Sequence, residues 1–243
     1  MKKTIVVLIP FATLTVGPFA SAAVLAQYGF NVSGTTGAPS TVASGLTATG
    51  SLAFSSAAGQ TGGATSGLLP IEGARSVFTF AASVTDGTAP TVSHSVFAFS
   101  VTPDPGNMIT LDLSNAVTWS FLAYDGTVNA ASYSVYTAVI AATDASFTNI
   151  VATSSTFSTT TNATGFDNGR WGTTVAGDLN PSSTISSTGT LYFRLVANDS
   201  LNSGDHQLRF DNVVINGTVA PVPEPTIALL GSLGLLGLMR RRR

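Results

Sequence analysis

The sequence predicts an all-β body, an antiparallel β-sandwich or jelly roll, set between an N-terminal signal peptide and a C-terminal hydrophobic helix. Three observations carry that expectation. Short runs of apolar and polar residues alternate with a period of two, the pattern of half-buried strands. Turn-forming pairs (Asp86-Gly87, Pro105-Gly106, Asp125-Gly126 and Asn168-Gly169) separate the runs. No long stretch of the body repeats its apolar residues at helical spacing, which leaves a packed pair of sheets as the architecture.

Taken in chain order, residues 1–22 read as a signal peptide. Lys2 and Lys3 precede an apolar stretch from Ile5 to Val16, and Ala20-Ser21-Ala22 supplies the small residues of a cleavage site, so the mature chain starts at Ala23. Pro10 and Pro18 interrupt the run and argue against a permanent N-terminal membrane helix. Residues 23–219 form the body. Within it, residues 33–70 carry no charge and are rich in Gly, Ser, Thr and Ala, a composition that disfavours helix and buries little. Loops are expected there, with one or two edge strands around Leu46 to Phe54.

Alternation then takes over. Phe78, Phe80, Ala82 and Val84 share a face, as do Phe97, Phe99 and Val101. Val117, Trp119, Phe121 and Ala123 line one side of a third strand, and Tyr133, Val135, Thr137 and Val139 one side of a fourth. A fifth sends Leu191, Phe193, Leu195 and Ala197 one way and Tyr192 and Arg194 the other. In the closing run "HQLRFDNVVINGTV", Leu208 and Phe210 point inward, yet Val213 and Ile215 fall on the opposite parity. A one-residue slip at Asp211-Asn212 reconciles them, which predicts a β-bulge.

Residues 220–243 are different in kind. Pro221, Pro223 and Pro225 precede an uncharged segment, residues 226–239, and four arginines, Arg240 to Arg243, close the chain. Those 14 residues reach about 21 Å as a helix, against a bilayer core of about 30 Å. Gly231, Gly234 and Gly237 weaken the helix further. A transient membrane hold fits better than a permanent anchor, with the arginines on the cytoplasmic side; a plain tail anchor on a proline-rich stalk is the alternative.

"VPEP", an apolar run and a terminal arginine cluster, in that order, resemble the PEP-CTERM sorting signal. The resemblance maps Pro223, Glu224 and Pro225 onto the signature tripeptide, Ile227 to Met239 onto the hydrophobic segment and Arg240, Arg241, Arg242 and Arg243 onto the basic end. It implies export, removal of the signal peptide by signal peptidase between Ala22 and Ala23, and recognition of the tail by exosortase. The destination it implies is the cell envelope, outer surface or exopolysaccharide matrix, after initial tethering to the inner membrane. "LYFRLVAND" and "LRFDNVVINGTV", with the opening "VLAQYGFN", are in turn similar to the closing and first strands of a recurrent PEP-CTERM ectodomain. That ectodomain looks like a jelly roll related in shape to carbohydrate-binding modules.

Charge narrows the function classes. Six of the ten basic residues lie at the two ends, and the body holds four, Arg75, Arg170, Arg194 and Arg209, against eleven acids, a net of −7. A surface of that sign repels phosphate backbones, so no nucleic-acid partner is expected. The chain has no cysteine, which removes disulfides, thiol chemistry and cysteine metal sites.

Little in the body proposes catalysis. His94 reads as an exposed residue on the polar side of a strand, and His206 as a loop residue before the last strand. There is no G-x-S-x-G elbow, no H-E-x-x-H and no phosphate-cradling loop. A glycosidase needs two converging carboxylates, and no local spacing proposes the pair. No cofactor is expected beyond a structural calcium ion, a hard cation that takes oxygen ligands. Its candidate ligand is Asp211, re-aimed by the bulge. The jelly-roll resemblance implies Asn31, on the first strand, as a partner. The alternative is that Asp211 satisfies backbone donors at the bulge. For sugar stacking, Trp119 shares the core parity, while Trp171 reads as either an exposed platform or a plug at the end of the sandwich. The expected function is a non-enzymatic structural or adhesive component of the surface or matrix. A glycan-binding module is the alternative, and a hydrolase stands third.

Overall fold

The computed structural model describes residues 23–30, 37–52, 60–64, 76–80, 90–125, 134–161, 170–199 and 206–222. The predicted signal peptide, residues 1–22, and the tail from Pro223 onward lie outside them, as do Asn31, Ala82, Val84 and Tyr133. Among the described residues no helix is long and apolar enough to cross a membrane.

The first strands in chain order are β1 (Ala23–Tyr28), β2 (Thr41–Val42), β3 (Leu46–Leu52), β4 (Gln60–Ala64), β5 (Ser76–Phe80), β6 (Ser95–Pro103), β7 (Asn107–Leu111) and β8 (Val117–Asp125). There follow β9 (Ser134–Ala142), β10 (Ile150–Thr153), β11 (Phe157–Thr160), β12 (Arg170–Trp171), β13 (Val175–Leu179), β14 (Ser186–Ser187), β15 (Leu191–Asp199) and β16 (His206–Pro221). They make two sheets, as the alternation predicts. The larger follows the order β12-β8-β16-β1-β2, with β5 and β7 also on β16, β13 on β8, β14 on β7 and β4 on β5. The smaller follows β10-β9-β15-β6-β3, with β11 also on β9. Neighbouring strands within each sheet run antiparallel, as in β1 with β16, β3 with β6, and β9 with β15. Residues 33–70 hold more strand than their composition suggests, namely β2, β3 and β4, and β2 and β3 close one margin of each sheet.

The core lies where the two inward faces meet. Phe97, Phe99 and Val101 of β6 and Leu191, Phe193 and Leu195 of β15 face Val117, Trp119, Phe121 and Ala123 of β8, all buried. Aromatic rings knit the layers, with Tyr28 of the larger sheet meeting Phe97 and Phe99 of the smaller edge-on at 5.3 and 5.5 Å, while within the smaller sheet Phe99 stacks on Phe193 at 5.2 Å. Such contacts add to the area the rings bury. Tyr28 belongs to the larger sheet, yet its hydroxyl donates to the carbonyl of Thr49 in the smaller one at 2.8 Å. Burial pushes that phenol above its ordinary range. Trp119 is core, as its parity predicts, with its indole N–H donating to the buried Thr137 hydroxyl at 3.1 Å. Gly177 stands opposite Trp119 in the β8–β13 pairing, and a Cβ there would overlap the indole ring.

Strand β16 is the spine. One edge pairs with β8 and then β7, and the other with β5 and then β1. The bulge expected in it is present: the register with β8 shifts between Asp211 and Val214, and Asn212 adopts a left-handed φ of 51°. Leu208, Phe210, Val213 and Ile215 are therefore all buried despite their mixed parity.

Candidate functional site

The bulge creates the most unusual polar environment in the described fold. At this point β1 ends beside Val213 and β5 begins beside Phe210, so the edge of β16 passes from one partner to the other. Asp211 sits in the gap and is 0 % exposed. Its Oδ1 accepts the N–H of Asn212 at 2.7 Å and that of Phe30 at 3.3 Å. Its Oδ2 is buried without a hydrogen-bond partner. Burial pushes the carboxyl above its usual range, and the two backbone N–H groups offset that only in part.

Both sequence readings of Asp211 find something here. One oxygen satisfies backbone donors, while the other is the orphaned acceptor a cation would need. Among the described residues no three His, Cys, Asp or Glu side chains gather at one point, and Asn31 lies outside them. Calcium takes six to eight oxygen ligands, so the described residues fit a calcium site at one atom only.

The other candidates are scattered. Trp171 follows Arg170 in β12 and pairs through its backbone with Tyr124 of β8, which places it on a short strand at the end of the larger sheet. His94 is not on a strand. It closes a single 3-10 turn, Val92–His94, where its Nδ1 accepts the Thr91 N–H at 3.0 Å. The reason is local: Thr91 caps the turn that leads into β6. His206 is not in a loop but opens β16, opposite Asp125 and Phe80, because the spine begins earlier than its apolar pattern shows. The sorting motif Pro223, Glu224 and Pro225, the arginines 240–243, and Ala20 and Ala22 lie outside the described residues.

A second feature was only half legible. The outward face of the smaller sheet divides into a roofed part and an open part. On β9 and β15, Ala138, Ile140, Ala142 and Val196 are covered by Phe147, with Val92 and Tyr192 packed against them. Phe147 is held in a left-handed conformation, φ 59°, by the turn around Asp144. That carboxylate accepts from the Ser146 hydroxyl, from the N–H and hydroxyl of Thr148, and from Asn149 N–H. These donors hold Asp144 well below the usual carboxylate range. The Arg194 guanidinium lies 4.4 Å from the Phe147 ring centre and donates to the Val92 carbonyl at 3.3 Å. On β3 the outward side chains Thr47, Thr49 and Ser51 are exposed, and beside them on β6 Ala98 and Thr102 are half-buried and Ser100 is buried. Thr49 bonds Ser100 at 2.8 Å, and Thr102 bonds Thr190 at 2.9 Å. Parity placed Tyr192 and Arg194 outward. The roof was unreadable because Phe147 reaches it only through the Asp144 turn.

The described residues define a two-layer antiparallel β-sandwich module with a solid aromatic core. No family model matches the chain, and no curated protein matches it. Among solved structures it is similar to an adhesin domain of Lys-gingipain from Porphyromonas gingivalis. The identity is 16 % and the TM-score 0.33, over 81 % of this chain and 98 % of that one. It is also similar to a family 11 carbohydrate-binding module from Clostridium thermocellum, with 10 % identity and a TM-score of 0.30 over 79 % and 96 % of the two chains. A xylan-binding domain from Paenibacillus barcinonensis gives 14 % and 0.30 over 81 % and 95 %. The fold assignment rests on the strand pairing itself, independently of these likenesses.

Proposed function

We propose that the chain is exported, sorted through its C-terminal Pro223-Glu224-Pro225 tail by exosortase, and kept at the cell envelope or in the exopolysaccharide matrix as a non-enzymatic structural or adhesive β-sandwich. The observation that supports this best is where the tail leaves the fold. β16 runs unbroken to Pro221, opposite Asn107, and the Val222 N–H donates to the Gly106 carbonyl at 2.8 Å. The motif begins at the next residue. A tether there is therefore joined to the most extensively paired strand of the described fold, and a cut beyond it leaves every described pairing in place.

Intact-mass measurement on protein from its native cells, with and without exosortase, tests the sorting half of this reading. A form starting at Ala23 and lacking the segment after the motif, seen only when the enzyme is present, is expected. A chain ending in Arg243 in both strains would replace the reading with a plain membrane anchor. The glycan-binding reading is favoured by one observation, the hydroxyl-bearing outward face of β3 and β6, exposed along Thr47, Thr49 and Ser51.

A further inference from the structure

We infer that the outward face of β3, β6 and β15 is a binding surface for a neutral polysaccharide chain. This rests on the surface or matrix reading above and names the ligand class. Cross-strand register sets the residues in rows. Thr102 and Thr47 form one, extended by Thr190 through its hydroxyl bond to Thr102; Tyr192, Ser100 and Thr49 form the next, and Arg194, Ala98 and Ser51 the third. Their neighbours in sequence, Val101, Phe99, Phe97 and Leu46, are buried in the core, which turns these side chains outward.

Relief and chemistry agree along the rows. Small residues, half-buried Ala98 and buried Ser100, floor the strip below the exposed Thr47, Thr49 and Ser51, and the roofed part with Phe147 over Arg194 lies beside it. Tyr192 stands half-buried at that step, and a tyrosine there offers an apolar ring to the CH face of a sugar and a hydroxyl to its edge. Each Ser or Thr hydroxyl is one donor and two acceptor sites. The Thr49–Ser100 and Thr102–Thr190 bonds use part of that capacity and fix the rotamers, so less freedom is lost when a ligand binds.

Charge and size select the occupant. β3 and β6 carry no ionisable side chain, and the guanidinium of Arg194 is already engaged by Phe147 and Val92. A polyanion would find no open cation in these rows, on a body whose net charge is negative. A protein partner would need large aromatic or arginine anchors in pockets, and the exposed residues of β3 are Thr47, Thr49 and Ser51. Paired donors and acceptors on a flat strip beside one ring suit a chain of uncharged sugars.

Affinity electrophoresis of the purified full chain through gels holding hydroxyethylcellulose, xylan, dextran or alginate tests this. Retardation is expected in at least one of the three neutral gels and not in alginate. Thr47→Glu with Ser51→Glu, both exposed and outside the core, should weaken that retardation at least tenfold while leaving the thermal midpoint unchanged. Tyr192→Ala should abolish it and Tyr192→Phe keep most of it. No retardation in any neutral gel, retardation unchanged by the β3 pair, or preference for alginate overturns the inference. So does binding that vanishes only in Trp171→Ala, which would place the site at the end of the other sheet. None of these outcomes alters the intact-mass result, so the sorting proposal stands or falls separately.

Discussion

A single carboxyl group, Asp211, shows how far one residue can depart from what its type prefers. A buried charge with an unpartnered oxygen is costly, and Asp211 has one. Burial sets its folded pKa above the unfolded value of about 3.9. The fold therefore favours the protonated form. The stabilisation this gives is full below the unfolded value and is lost as pH rises through the folded one. Asp211→Asn keeps an acceptor for the N–H groups of Asn212 and Phe30 and removes the charge. The stability difference between the two proteins should accordingly shift in favour of the variant as pH climbs from about 3 to 7. Urea unfolding at several pH values, with calcium and with EDTA, measures it. A bound cation reverses the trend: the wild type then gains on the variant as pH rises, and EDTA erases that gain. Asp144 titrates in the opposite sense, since its depressed pKa gives stability above the unfolded value that is lost on acidification. It is common to both proteins and cancels in the comparison.

At the scale of the element, β16 was the most legible part of the chain, for a physical reason. A strand has a strict period of two, so a change of parity between Phe210 and Val213 leaves an inserted residue as the economical solution. The sequence also supplied a residue suited to it, because asparagine tolerates the left-handed region better than most side chains. Asn212 is exposed and holds φ 51°. Asn212→Val should destabilise by about 1–2 kcal/mol, while Asn212→Gly should be nearly neutral. Deleting residue 212 should be far worse, since Val213 and Ile215 would turn to solvent on the far side of the sheet. Equal stability of the Val and Gly variants would mean that the backbone at 212 is free to relax. What parity could not reveal were features that carry no period of two. The 3-10 turn before β6 is closed locally between Thr91 and His94, and β12 exists only through its pairing with β8. A run as short as Arg170–Trp171 carries no period.

Over the whole molecule, the two-sheet architecture could be read from alternation because both sheets bury one face and leave the other outward. In residues 33–70 the edge strand expected around Leu46 is β3, and small residues let it pack closely: a Cβ on Gly50 would collide with Tyr28 and Phe97. The short β2 and β4 in the same stretch carry no apolar alternation and were not legible. The hydroxyl-bearing strip on β3 and β6 was not legible either, since threonine and serine on a strand look like solvated edge. The arrangement of the two ends has a consequence of its own. Ala23 pairs with Gly217, so the start of β1 lies beside the end of β16, and the tail leaves from that same end. The bulge with Asp211 and the opening of β16 at His206 lie further back along the spine, away from the exit. Tail processing beyond Val222 should then be invisible to the fold. A chain of residues 23–222 should unfold cooperatively with the midpoint of the same chain carrying its tail. A chain stopped at Gly217 should lose the pairing of residues 218–221 with β7 and the packing of Val219 against the core. That loss amounts to about 2–4 kcal/mol of ladder bonds and apolar burial. Urea titration of the three chains decides it. If the chain ending at Gly217 is as stable as the one ending at Val222, the last residues of the spine add nothing to the fold, and the proposed tether at Pro223 would pull on a loose end instead of on the centre of the larger sheet.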